Sequence, residues 1–198
     1  MKSKIFMLAI VFLAANCSTG SKNDVKENLI SRMDGLSQRP AWVLEARPVS
    51  IQQNTIVVLG SSHLTDEHKM DVSYRIAERN GKHLFQETLE SQSDKIVQSL
   101  GKLKAKEQKQ LADFRKELLK GMMDSVVLGK KYWEKVEVVK ADVDSSKLNK
   151  VYVSIELGKD NFIKKLDQIL ARAQSKKSIS KANVLKIKNE WKSFLANL

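Results

Sequence analysis

An α+β fold, with a small antiparallel or mixed sheet of about three strands and long helices packed on one face, is predicted by three observations. NTIVVLGSS, Asn54 to Ser62, is a β-branched apolar run stopped by glycine and serines. YWEKVEVVK and KVYVSIEL, residues 132–140 and 150–157, alternate with the strand period of two. Between and after these runs, apolar residues recur at helical intervals instead. The resulting order is strand, helices, strand, strand, helix, helix, and a sheet with helices layered on one face satisfies it.

The chain opens with Lys2 and Lys4, followed by the apolar run Ile5 to Ala15. A short basic stretch before about a dozen apolar residues matches a secretory signal, and it falls short of the ~20 residues a membrane-spanning helix needs. It ends Leu13-Ala14-Ala15-Asn16-Cys17, which resembles a bacterial lipobox, with Asn16 where Gly, Ala or Ser is usual. Residues 1–16 are therefore expected to be a lipoprotein signal peptide, and Cys17 a lipidated membrane anchor. The competing reading is an ordinary signal with an incidental cysteine. Against it, Cys17 is the single cysteine, so it has no intramolecular disulfide partner, and a free thiol on an exported chain is a liability. Removing Lys2 and Lys4 leaves 33 basic residues against 23 acidic, so the mature chain stays strongly positive.

Residues 17–39 read as the lipidated cysteine and a polar tether, with one short helix using Val25, Leu29, Ile30 and Met33. RPAWVLEARP, bounded by Pro40 and Pro48, reads as extended chain, with Trp42 a plug on the domain edge. After the first strand, Thr65 is placed as the cap of a helix carrying Met70, Tyr74, Ala77, Gly81, Leu84 and Thr88 along one stripe. Gly81 weakens that helix by about 1 kcal/mol relative to alanine, and close approach to a sheet would compensate. Residues 92–126 are helical with a break near Gly101, through Leu111, Phe114, Leu118 and Met122. DVDSSKLN is turn chemistry, so the two alternating runs form an antiparallel hairpin around it. From Asp160 a helix turns Phe162, Ile163, Leu166, Ile169 and Leu170 inward. Another, from Ser180, carries Val184, Ile187, Trp191, Phe194 and Leu198. The domain is drawn over residues 40–173, and residues 174–198 as a C-terminal amphipathic helix that either packs on its own domain or attaches to a membrane or partner.

RPAWV, VVLGSS, GKKYWEKVEV and VYVSIELGKD, following the lipobox and tether in that order, resemble the twenty-kilodalton bacterial envelope lipoprotein family, which includes flagellar outer-membrane lipoproteins. The matching positions are Pro40, Trp42, Gly60, Ser61, Ala77, Gly129, Trp133, Tyr152 and Val153, within residues 40–170. The helix here is poorer in alanine, and residues 92–126 are more helical than in that family. The resemblance implies a compact α+β domain on a lipid tether, assembling with copies of itself or with other envelope proteins, and no catalysis. Fold alone carries no flagellar role.

Chemistry is sparse. His63 and His68 sit near Asp66 and Glu67, but the spacing suits a metal only if both imidazoles share one helix, so a helix start with surface histidines is the plainer reading. GSSHL lacks the second glycine of a nucleophile elbow, and no phosphate-cradling or dinucleotide loop occurs. No enzyme activity, cofactor or metal is expected. The lysines of residues 102–120 are interspersed with acids, as on a solvated face. Lys176, Lys177 and Lys181 are denser, and suit an anionic envelope polymer such as lipopolysaccharide or cell wall. An exported chain does not meet nucleic acid. The expectation is a non-enzymatic, lipid-anchored envelope protein with an assembly role, at the outer membrane facing the periplasm or cell surface. Trp42 and Trp133 are its packing anchors, and the hairpin edge is the place for a partner strand.

Overall fold

The computed structural model describes residues 25–44, 47–140, 143–176 and 179–198. The signal segment, Cys17 and Lys177 lie outside the described residues. Five strands form one antiparallel sheet: β1 (Lys26–Arg32), β2 (Val49–Gln52), β3 (Thr55–Thr65), β4 (Val127–Lys140) and β5 (Val143–Gly158), in the order β1-β4-β5-β3-β2. The helices are α1 (Ala41–Leu44), α2 (Met70–Ser99), α3 (Ala105–Met123), α4 (Lys159–Ser175) and α5 (Lys181–Asn197). The α+β class and the antiparallel sheet match expectation, with five strands where about three were expected.

The centre of the sheet is the predicted hairpin. Tyr132 pairs with Tyr152, Glu134 with Lys150 and Lys140 with Val143. DVDSSKLN is mostly strand and not turn, because Val143 to Asn149 already belongs to β5. Cross-strand partners outweigh the poor strand propensity there: Glu137 pairs with Lys147 and accepts a 3.0 Å hydrogen bond from Ser145 Oγ. β2 and β3 form a second hairpin closed by Gln53 and Asn54, whose φ of 46° and 65° supply the left-handed pair of a two-residue turn.

Gly60, Ser61 and Ser62, read from sequence as a strand stop, lie inside β3 and seat α2. A Cβ on Gly60 would stand 2.1 Å from the Ala77 carbonyl oxygen, and one on Gly81 would stand 2.7 Å from Ile155 Cγ1. The two glycines thus bring helix and sheet backbones together, as the weakened propensity at Gly81 suggested. Ser62 Oγ donates to the Ser73 carbonyl at 2.8 Å and is buried. The helix starts later than predicted: its cap is Lys69, and Thr65 ends the strand. The sheet face toward α2 carries Ile56, Val58, Val151, Val153, Ile155 and Leu157, all buried.

Only the first part of α2 lies on the sheet. Its second half joins α3, α4 and α5 in a closed four-helix ring in which each helix touches two neighbours, running alternately away from and back toward the sheet. Leu89, Ile96, Leu118, Met122, Phe162, Leu166 and Trp191 fill it. Polar links cross each seam: Arg115 to Asp94, Arg172 to Glu117 at 2.9 Å, Lys188 to Asp167 at 2.8 Å, and Lys186 to the Ser99 carbonyl. The α2–α3 break falls where expected, with Gly101 at φ 80°. Ser180 caps α5 by accepting from Asn183 N. Trp191 is 1% exposed and lies 5.3 Å from Phe162 between ring centres, so α5 packs on its own domain, while α4 runs past the boundary drawn at 173.

Two sequence expectations are corrected in residues 25–48. The stretch read as a tether helix contains β1, paired along β4 from Lys26↔Val139 to Arg32↔Glu134; long-range pairing with an otherwise bare strand outweighs the helical spacing of its apolar residues. The proline-bounded segment read as extended contains α1, whose first turn closes with Val43 N and Leu44 N donating to the Pro40 carbonyl. Pro40 fits there because the start of a helix needs no N–H from it. The described residues between β1 at one sheet edge and β2 at the other are 33–44 and 47–48. They form a strap over the face that carries no long helix.

Candidate functional site

Three features of the fold are candidates for contact: the strapped face, the free edges and the far end of the helix bundle.

Under the strap, β4 turns Tyr132, Glu134, Val136 and Val138 away from the helices, and all four are buried. Glu134 is a carboxylate in an otherwise apolar stripe. Arg39 of the strap satisfies it, with Nε 2.9 Å from each carboxylate oxygen and Nη2 also in contact, and Tyr132 Oη donates at 3.0 Å. Burial alone would raise the Glu134 pKa, but Arg39 and Tyr132 outweigh it and leave the carboxyl below its ordinary range. Burial, then the bond to Glu134, pushes Tyr132 up to about 12. Lys150, buried beside them, reaches Glu27 of β1 at 2.5 Å. This network ties β1, the strap, β4 and β5 together. Its signal in the sequence was Glu134 itself, an acid at an inward position of an alternating strand.

The two tryptophans singled out from sequence lie on opposite faces of the sheet. Trp133 is half-buried against the helix-side core. Trp42 is half-buried on the strapped face and lines a cleft of about 270 Å³ with Gln52, Thr55, Lys130, Ser154 and Glu156. There Ser154 Oγ accepts from Lys130 N at 2.6 Å and donates to Glu156 at 2.7 Å.

β1 covers the hairpin's β4 only from Glu134 to Val139, and β3 covers β5 only from Leu148 to Gly158, so Val127 to Tyr132 of β4 has no strand on its outer side among the described residues. Among the described residues the free edges include β1, the four-residue β2 and this stretch of β4, where Val127 and Leu128 are exposed. β1 has no strand on its far side among the described residues; it displays Leu29 and Ile30, and the flanking Val25 and Met33 are exposed too, all four at 37–48%.

At the far end of the bundle, the α2–α3 and α4–α5 connections lie side by side. Lys104, Lys106 and Lys181 line one cleft with Glu107, Gln174 and Ser180. Lys176 is exposed on the same connection as Lys181. The structure thus joins the predicted C-terminal lysines to a second set some seventy residues earlier, which sequence spacing could not do.

The remaining candidates do not converge. His63 packs edge-on against Tyr152 with ring centres 6.0 Å apart, and desolvation followed by the charge of Lys150 lowers its pKa. His68 Nδ1 lies 3.0 Å from Thr65 Oγ1. Among the described residues no three His, Cys, Asp or Glu side chains gather as a metal site, and no helix is long and apolar enough to cross a membrane. Compared with known proteins, the chain matches no family model, no curated protein and no solved structure.

Proposed function

We propose that this is a lipid-anchored protein of the bacterial cell envelope with a structural, assembly role and no catalytic one. Acyl chains on Cys17 hold it at the outer membrane, and the domain pairs with itself or with other envelope proteins through β1. The observation that carries this reading is the free edge. Strand β1 begins nine residues after Cys17, is open along one side among the described residues, and exposes Leu29 and Ile30 at 45% and 48%. An unpaired edge with exposed apolar side chains is a template for a further strand, and natural proteins blunt such an edge unless it is used. Tethering confines the domain to one surface and raises its effective concentration for neighbours there.

The test has two arms. Intact-mass spectra and membrane fractionation of wild type and Cys17→Ser address the anchor; added hydrocarbon on wild type, and release of the variant, are expected. In-cell cross-linking from a cysteine placed at Asn28 addresses assembly. Absence of both self-contacts and protein neighbours would refute it. A second reading, binding of an acidic envelope component, is favoured by the convergence of lysines at the end of the bundle.

A further inference from the structure

We propose that the end of the helix bundle is a docking surface for a membrane rich in anionic phospholipid headgroups. This deepens the second reading above by naming its site and ligand. Among the described residues, 101–110, 174–176 and 179–181 of the two adjoining connections hold six lysines against one acidic residue, Glu107. Glu107 is already engaged, accepting from Lys104 N at 2.9 Å. Lys102, Lys104, Lys106, Lys176 and Lys181 are exposed, and none enters an ion pair among the described residues, whereas Lys82, Lys135, Lys150 and Lys188 elsewhere all do.

The make-up of the surface selects the partner. Lysine is a mobile point charge suited to dispersed phosphates, and the two segments contain no arginine for planar bidentate recognition. They contain no aromatic residue on which bases or sugar rings could stack. Their large apolar residues are withdrawn, with Ile179 buried and Leu103 half-buried, and of the apolar residues only the small Ala105 is exposed among those described, so the surface rests on headgroups without inserting. Each lysine near an anionic bilayer changes partitioning roughly fivefold.

The full chain carrying Cys17→Ser, which cannot be acylated, is sedimented with vesicles of phosphatidylcholine alone or with a third phosphatidylglycerol. Preferential binding to the anionic vesicles, weakening with salt, is expected. Substituting Lys104, Lys106, Lys176 and Lys181 by glutamine should weaken that preference by nearly three orders of magnitude, about fivefold for each lysine. Changing the exposed Lys69, Lys95, Lys147 and Lys164 instead lowers net charge equally and should leave most of it. Equal loss from both sets, or equal binding to neutral vesicles, overturns the proposal. So does binding of soluble polyphosphate or an anionic polysaccharide through the same four lysines without vesicle binding, which would assign the surface to a polymer. Because Cys17 is replaced throughout, either result leaves the anchor untouched.

Discussion

Replacing Gly60 by alanine should destabilise the domain more than any other single-methyl addition at a glycine of β3 or α2. The new Cβ would sit 2.1 Å from the Ala77 carbonyl oxygen, 2.8 Å from Gly81 N and 2.9 Å from Gly81 Cα. All three are backbone atoms, so no side chain can swing aside, and α2 must withdraw by roughly 1 Å to reach ordinary contact distance. That lift loosens the seat over Val58 and Ile155, both 1% exposed. Overpacking of a rigid core costs typically 1–3 kcal/mol, and the rigid obstacle puts this case near about 3 kcal/mol. For a domain of this size the midpoint of thermal unfolding should fall by about 6–12 °C. Circular dichroism melts and urea titrations measure it. Gly158→Ala is the control, since a Cβ there meets nothing closer than 3.4 Å and φ is −56°, and it should stay within about 0.5 kcal/mol of wild type. Equal stability of the two variants would refute the backbone seat.

Glu134→Gln should cost about 2–3 kcal/mol at neutral pH, the worth of charge-assisted bonds to a buried carboxylate with some discount for the partly exposed Arg39. Because the folded pKa of Glu134 is depressed, its contribution is present above the unfolded value near 4.3 and is lost as pH falls through the folded one; urea midpoints of wild type and variant should therefore converge in acid. Tyr132 has the opposite sign. With its pKa raised to about 12, its contribution is whole below pH ~10 and lost on titration toward 12, so Tyr132→Phe should flatten the alkaline limb of the stability profile. Trp191→Ala should remove about 3–5 kcal/mol, read by denaturant titration, since the ring is enclosed with Phe162 and Phe194. Leu29→Lys with Ile30→Lys should abolish cross-links through β1 while leaving the melting temperature nearly unchanged, as both side chains are exposed.

Periodicity exposed the elements whose partners are near in sequence. The hairpin β4–β5 and helices α4 and α5 were legible because their alternation or helical spacing continues for several turns, and Ser180 announced its cap. What escaped was set by distant partners. Nothing within KENLISR distinguishes a tether from a strand, since its pairing with β4 lies about a hundred residues away. Gly60 and Ser62 look like a strand stop until Ala77 and Ser73 are placed against them. The lysines followed the same rule: Lys176 and Lys181 were visible as a dense run, whereas Lys104 and Lys106 look like an ordinary solvated face until the bundle folds. Arg39 gave no local sign of pairing with Glu134, which lies ninety-five residues away.

The register of β1 has a mechanical consequence. Its first residue, Lys26, lies beside Val139 near the tip of the hairpin, and the chain runs from there back along the sheet, while the bundle leaves from the opposite end at Gly158. A force between the N-terminal attachment and the bundle therefore acts along the strand axis. It loads the β1–β4 hydrogen bonds together in shear instead of peeling them one after another. A sideways pull would meet them singly, so the same seam resists stretching between its two ends far better than tearing at its edge.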